Sequence, residues 1–368
     1  MSSSRPFLAP WLCAAALLGP AAPVLASGAA PPAHHRGDGF LNQHLDFSPR
    51  SLTELMGWRW LAWRDGLPPA PAKPTPRATP ELDFLHANAR AGEQMQPAVT
   101  WIGHATVLAQ LGGINLLTDP MFSERASPVS WAGPRRAHAP GLRLDQLPRI
   151  DAVVISHNHY DHCDIASLLA LNGQPAGPPL FLVPLGLKAW MAEIGISHVV
   201  ELDWWQSQRV GAVDIVMTPV QHGSGRGLGD RMQSLWGGWA LFAPQSQIFF
   251  AGDTGYSPDF ADIARRFAER QRDGGFDLAL IPVGGYAPRW FMKEQHVDPD
   301  EAVKVHKDLR AKKSLGIHWG TFELTDEALD APPRRLAKAR AAQGIAEDDF
   351  FLLALGQTHR LARRGPAQ

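Results

Sequence analysis

The chain has 368 residues, 45% hydrophobic and 19% charged, which is enough apolar material for a sizeable globular core. Its formal net charge is −1, so nothing global suggests a nucleic-acid partner, which demands a basic stripe. Thirteen tryptophans against three tyrosines point to cores, binding clefts or membrane interfaces, where an indole finds both apolar contact and a partner for its N–H.

Residues 1–26 carry one early positive charge (Arg5), an apolar run from about Phe7 to Leu18 and a small-residue exit ending Val24-Leu25-Ala26. The run is too short to span a bilayer, which takes about 20 residues, and it reads as a secretory signal peptide cut near Ala26. The expected location is therefore exported, periplasmic or membrane-peripheral. Cys13, in Pro-Trp-Leu-Cys, lacks the small residue expected just before a lipidated cysteine. Removing the segment leaves Cys163 as the single cysteine, so no internal disulfide holds the fold.

Residues 27–96 read as an N-terminal extension. Its first part, 27–50, is rich in Gly, Ala, Pro and His and is expected to be a flexible or extended lead-in. "SLTELMGWRWLAWRDG" (51–66) has helical spacing, with Ser51 and Glu54 placed as a capping box. Leu52, Leu55, Met56, Trp60 and Trp63 favour one broad face, which either docks on the main domain or dips into lipid headgroups. "LPPAPAKPTPRATPE" (67–81) is a proline-rich, semi-rigid linker.

The main domain is expected over 97–368. Strand-like runs such as "AVTWIG", "TVLAQLGGINLLTD", "DAVVIS", "VDIVMTP", "IFFAGD", "LALIPVG" and "SLGIHWG" alternate with turn signals, Gly112-Gly113 among them. Helical patterns fall at about 164–171, 186–194, 258–270 and 299–310. Many strands with interspersed helices predict an α/β fold of two sheets with helices outside, an αββα sandwich. Several strands end in a residue able to bind metal: Asp119, His157, His222, Asp253 and His318. Loops at one end of a rigid scaffold are where active sites are built.

"HNHYDH" is the densest cluster. A turn after "DAVVIS" can aim His157 and His159 at one ion and leave Asp161 and His162 within reach of a second. Imidazole nitrogen with carboxylate oxygen suits zinc or a similar first-row divalent cation. Two ions need more ligands, and His222, Asp253 and His318 stand at other strand ends.

The order HxHxDH, then His, Asp and His, resembles the metallo-β-lactamase superfamily. "TWIGHATVL", "LLTDPMFSERASP", "GPRR", "LWGGW", "FAGDTGY", "PRWFM", "QHVDPDEAV" and "IHWGTF" narrow the resemblance to its N-acylphosphatidylethanolamine-hydrolysing phospholipase D group, over roughly residues 97–357. The resemblance implies a four-layer αββα sandwich holding two Zn2+. His157, His159 and His222 would hold the first and Asp161, His162 and His318 the second, with Asp253 bridging. It also implies hydrolysis of the phosphodiester between phosphatidate and an N-acylethanolamine, a phospholipid substrate met at a membrane surface. Asp161 and Asp253 are then the catalytic carboxylates, positioning a metal-bridging hydroxide for in-line attack on phosphorus. The alternative keeps the metal pair and changes the bond, to a lactone, ester or phosphodiester of a small soluble substrate. The oligomeric state is left open.

Further candidates for orienting the ligands or meeting substrate are Asp119, His296, Tyr256, Arg226, Trp236, Tyr286 and Arg289. His104 is expected to play a structural part, and Cys163 to be a packed thiol. Residues 222–239, with six glycines, read as a mobile flap on which Arg226 and Arg231 can meet an anionic headgroup.

Overall fold

The computed structural model describes residues 32–364, apart from 38, 47–49, 228 and 272–273. The expected signal peptide, 1–26, lies outside the described residues. In chain order, a short hairpin of β1 (His35–Arg36) and β2 (Gly39–Phe40) precedes α1 (Leu52–Arg64) and α2 (Leu82–Ala89). Then come β3 (Ala98–Gly103), β4 (Thr106–Leu111), β5 (Ile114–Thr118), β6 (Ala152–Val154), α3 (Ile165–Asn172), β7 (Leu180–Pro184), α4 (Lys188–Glu193) and β8 (Val199–Leu202). The second half holds β9 (Ser207–Val210), β10 (Val213–Thr218), β11 (Gly238–Ala243), β12 (Ser246–Phe250), α5 (Asp259–Arg266) and β13 (Leu278–Pro282). It closes with α6 (Arg289–Met292), α7 (Pro299–Asp308), β14 (Ser314–Ile317), α8 (Ala331–Gln343), β15 (Phe350–Phe351) and β16 (Thr358–Arg360).

Two seven-stranded sheets result, in the orders β16-β3-β4-β5-β6-β7-β8 and β15-β14-β13-β12-β11-β10-β9. The strands read as continuous apolar runs because both faces of each sheet are covered. On β6, Ala152 and Val154 face the core shared by the two sheets, while Val153 faces a second core under α2, α3 and α4. β7 divides likewise, with Leu182 inward and Phe181 and Val183 toward the helices, as the two-residue period of a strand requires. α5, α7 and α8 cover the outside of the other sheet through Phe260, Ile263, Val303, Leu336 and Ala339. The four-layer αββα sandwich read from the sequence is the observed architecture. The β4–β5 hairpin closes at Leu111 and Ile114 over Gly112 and Gly113, whose φ angles of +58° and +82° are those of a primed turn.

The N-terminal segment departs from the expected loose lead-in. Ala33 onward belongs to one compact unit. His34 and His35 both bond the Asp203 carboxylate (2.6 and 2.8 Å), and the His34 ring stacks on Trp204 at 4.2 Å. α1 begins at a capping box of Ser51 and Glu54 and does dock, but by another face than the one expected. Trp58 and Ala62 are buried, and the Trp58 indole N–H donates to Asp326 at 2.9 Å. Leu52, Met56, Trp60 and Trp63 stay exposed, Trp63 by 78%. α2 and α8 were not anticipated.

Candidate metal centre

Turns at one end of the sandwich build the site. Beyond β6 the chain passes Ser156 and presents His157, His159, Asp161 and His162 before α3 starts behind its N-cap, Asp164. The turn after β10 presents His222, that after β12 Asp253, and that after β14 His318. His104 comes from the β3–β4 turn and Asp119 from the end of β5. His104, Asp119 and His318 have positive φ (+53°, +32° and +58°), backbone strain of the kind kept where the surroundings fix a site.

The side chains meet in two groups. His157 Nε2 lies 2.9 Å from His159 Nδ1, and His222 Nε2 lies 3.4 Å from the same atom. In the second group, His162 Nε2 and His318 Nε2 stand 3.2 and 3.4 Å from Asp161 Oδ2. Asp253 Oδ2 lies between the groups, 3.0 Å from His162, 3.2 Å from His318 and 3.9 Å from His157.

Their other nitrogens show what these rings are prepared to hold. The Ser156 hydroxyl donates to Asp119 Oδ2 (2.5 Å), so it accepts from His157 Nδ1–H at 2.9 Å. His162 Nδ1–H donates to Asp119 (2.7 Å), and His222 Nδ1–H to the Gln295 carbonyl (3.0 Å). Each ring thereby turns its Nε2 into the site, the nitrogen that would ligate a cation. His162 Nε2, His318 Nε2 and Asp253 Oδ1 are buried without a hydrogen-bond partner in the protein.

Burial above all keeps His157 and His222 well below the ordinary imidazole range, so both are neutral. Burial opposes ionisation of Asp161 and Asp253, yet the adjoining His162 holds both well below the carboxylate range. Burial likewise opposes a charge on His318, but Asp253 and Asp161 push it up to about 9. Burial opposes a charge on His162 too, yet Asp253 and Asp161 raise it well above the imidazole range. Negative charge that attracts a proton so strongly attracts a divalent cation as well. Such a cation would displace the extra protons of His162 and His318 and meet imidazole nitrogens beside ionised carboxylates, the donor set it favours. The two His/Asp groups fit a pair of such cations.

The Beta-lactamase superfamily domain matches residues 114–319. The chain belongs to the metallo-β-lactamase superfamily. It is similar to N-acyl-phosphatidylethanolamine-hydrolyzing phospholipase D 1 of Caenorhabditis elegans, at 42% identity over 69% of this chain and 72% of that protein. It is also similar to the mitochondrial N-acyl-phosphatidylethanolamine-hydrolyzing phospholipase D of Saccharomyces cerevisiae, at 36% identity over 79% of this chain and 62% of that one. Among solved structures, isothiocyanate hydrolase from Delia radicum gut bacteria shares the fold, with a TM-score of 0.56 at 23% identity over 72% of this chain and 99% of that one. The chain is thus a metallo-β-lactamase-fold, metal-dependent hydrolase of the N-acylphosphatidylethanolamine phospholipase D group.

Several candidates sit where this hydrolase can use them. Asp119 is fully buried and accepts from Ser156 N–H, the Ser156 hydroxyl and His162 Nδ1–H. His296 Nδ1 is buried, unpartnered and 3.8 Å from Asp253 Oδ2; burial holds its ring down at about 4, hence neutral. A cleft of about 370 Å³ opens beside His159, lined by Arg50, Leu55, Arg231, Met232, Phe291 and Gln295.

Most other candidates fall elsewhere. The Tyr256 hydroxyl donates to Asp308 at 2.8 Å, on α7. Tyr286 is buried beneath the Arg335 guanidinium (4.8 Å), and Trp236 is a core residue whose indole donates to the Val220 carbonyl. Arg289 is spent on the His296 carbonyl and Glu301, both at 2.7 Å, so it steadies the segment carrying His296. Arg226 stacks between Tyr160 (4.1 Å) and Trp190 (4.9 Å) and donates to the carbonyls of Asn158 and Cys163. It braces the ligand turn, held by two aromatic faces and two carbonyls, and at the same time lines the cleft beside His159, where it was expected to meet substrate. The glycine-rich flap is likewise stitched down, Gly225 N–H to Asn158 Oδ1 (2.6 Å) and Met232 N–H to the Ser224 carbonyl (3.0 Å).

Sequence reasoning undervalued His104, whose Nε2 lies 2.9 Å from Asp161 Oδ2 at full burial. Gly285 also escaped notice. It has φ +82°, and a Cβ there would lie 3.1 Å from the His318 ring and 3.2 Å from His296 Nδ1, so only glycine lets the backbone pass so near the site. Cys163 is a packed thiol, as expected.

Proposed function

We propose that the hydrolase binds two Zn2+ and cleaves N-acylphosphatidylethanolamine-type phosphodiesters, releasing phosphatidate and an N-acylethanolamine. The observation that carries this is the pair of His/Asp groups on either side of Asp253, beside a cleft that reaches them at His159 and has both apolar and cationic walls. His157, His159 and His222 would hold one cation and Asp161, His162 and His318 the other, with Asp253 reaching both. Bound there, such a pair supplies Lewis acidity at a phosphoryl oxygen and a water acidic enough to be a nucleophile near neutral pH.

The protein's own groups do the rest. Asp119, Ser156 and the Gln295 carbonyl fix which nitrogen of each histidine faces the site. His296, neutral and unpartnered 3.8 Å from Asp253 Oδ2, is placed to contact the substrate's reacting group. Leu55, Met232 and Phe291 give acyl chains an apolar wall. The Arg231 guanidinium makes one hydrogen bond, to the Arg50 carbonyl (2.7 Å), and no ion pair among the described residues, so it is available to an anionic headgroup.

A membrane-peripheral setting belongs to the same reading. α1 lends Leu55 to the cleft while its Met56, Trp60 and Trp63 face outward, and Trp290 is exposed beside Phe291 on the same wall. Exposed indoles interleaved with Arg59 and Arg64 suit a headgroup layer. Among the described residues no helix is long and apolar enough to cross a membrane. The apolar run at residues 7–18 supports export to a compartment where such a surface is met.

The test combines metal quantification with a turnover screen of N-acylphosphatidylethanolamine vesicles, a bis-aryl phosphodiester and lactones. Two zincs per chain and preferred cleavage of the vesicle substrate support the proposal. Lactone turnover with inert lipid would favour the small-substrate alternative.

A further inference from the structure

We infer that Asn42, on the N-terminal strap, is a positioning residue for the cation held by His157, His159 and His222; the inference rests on the two-cation reading above. His222 sits just past β10, where the chain has left the sheet. Gln221 still pairs with Gly255, but His222 has no strand beside it. Its main-chain groups meet a side chain instead. The Asn42 Nδ2–H donates to the His222 carbonyl (2.8 Å), and the His222 N–H donates to Asn42 Oδ1 (2.9 Å). Among the described residues Asn42 is the single partner of both groups. All four atoms lie in buried residues, Asn42 being 8% exposed and His222 1%.

An unpaired buried main-chain group is costly, so this two-way bond decides where the His222 backbone stands. The ring is then turned by its Nδ1–H bond to the Gln295 carbonyl. Backbone and ring together aim Nε2 at His159 and the first cation. Asparagine is the residue for the task, because one planar amide both donates and accepts. Aspartate keeps an acceptor for the His222 N–H and sets a carboxylate oxygen against the His222 carbonyl.

The strap can hold Asn42 still because it is tied on either side. Before it, His34 and His35 grip Asp203, and the Phe40 N–H donates to the Met232 carbonyl of the flap at 2.8 Å. Gly39 makes that approach possible, since a Cβ there would stand 2.6 Å from the Met232 oxygen. After it, His44 bonds Asp262 on α5 at 2.8 Å. The strap is thus part of the metal centre's support, although it lies 180 residues from the histidine it holds.

The test measures the two stepwise dissociation constants for Zn2+ by chelator competition, and the visible spectrum of the Co2+-loaded protein. It uses full-length wild type, Asn42→Ala, Asn42→Asp and, as a control for strap loosening, His44→Ala. The Asn42 variants should bind one cation about 10–100-fold more weakly, with the other unchanged and the Co2+ bands of one site altered; His44→Ala, which loosens the strap but keeps the Asn42 amide, should weaken the same cation by less. Should Asn42→Ala fold poorly, Asn42→Asp carries the test, as it keeps the size and one of the two bonds. Wild-type affinities at both sites in a folded Asn42 variant would overturn the inference, as would equal weakening of both sites. A wild-type chain that binds no cation pair would sink the two-cation reading and the role of Asn42 with it.

Discussion

Asp119→Asn changes one atom and should weaken cation binding, most of all at the site that holds His162. Asp119 Oδ1 accepts from the Ser156 N–H at 2.7 Å, and Oδ2 from the Ser156 hydroxyl (2.5 Å) and His162 Nδ1–H (2.7 Å). The main-chain N–H demands an acceptor, so the asparagine carbonyl takes the Oδ1 place and its NH2 faces His162. Two donors cannot share that contact. His162 must turn its proton to Nε2, the atom that points at Asp253 (3.0 Å) and Asp161 (3.2 Å) and would ligate the cation. Losing such a supporting bond weakens metal binding about 10–100-fold, or roughly 1.4–2.8 kcal/mol. The volume is unchanged, so the fold should survive. Stepwise Zn2+ titration against a chromophoric chelator should show the His162 site weakened by this factor. The Ser156 hydroxyl, left without its Asp119 acceptor, can turn its proton to His157 Nδ1, so the other site weakens too, by no more than the His162 site. Wild-type affinity at both sites would refute the assignment of His162 and the tautomer argument together.

Other consequences can be checked alongside. His296→Gln should lower kcat while the protein keeps two cations; metal loss would make His296 a ligand, not a substrate contact. Trp60→Ala with Trp63→Ala should reduce sedimentation with vesicles and leave hydrolysis of a soluble bis-aryl diester intact, whereas unchanged vesicle binding would remove α1 from the membrane-facing surface. Trp58→Ala, by contrast, empties a buried docking site and should cost about 3 kcal/mol in denaturant unfolding; a loss under about 1 kcal/mol would show that α1 docking adds little stability. Burial pushes the Cys163 thiol up to about 12. Peptide mapping after alkylation at pH 8 should therefore find it unlabelled in the native protein and labelled after unfolding; native labelling would mean the ligand turn opens.

Much of the site was legible in the chain because ligand chemistry restricts residue type. His157, His159, Asp161 and His162 lie in one turn, and His222, Asp253 and His318 each end an apolar run, so topology alone brings them to one end of the sandwich. The strands were legible for a related reason, since runs buried on both faces are mostly apolar, with few interruptions such as Gln110 and Asn115. What escaped notice depends on partners distant in sequence. Arg226 on a glycine-rich stretch looks solvent-facing until Tyr160 and Trp190 are seen to enclose it. Asn42 looks like part of a loose leader until the His222 backbone is seen to need it. In α1 the apolar residues outnumber what the docked face can hold, so composition could not tell that Trp58 docks while Trp60 and Trp63 do not. α8 was hidden because "APPRRLAKARAAQ" opens with two prolines and buries little beyond Pro332, Leu336, Ala339 and Arg340.

The most direct test of the central claim is mass-spectrometric identification of the products from N-acylphosphatidylethanolamine vesicles in 18O-labelled water, with zinc-loaded wild type and with Asp253→Ala. The account expects N-acylethanolamine and phosphatidate in equal amounts, the label in the phosphatidate phosphate, and no turnover when Asp253 is gone. Label in a released fatty acid, or full turnover by Asp253→Ala, would contradict it.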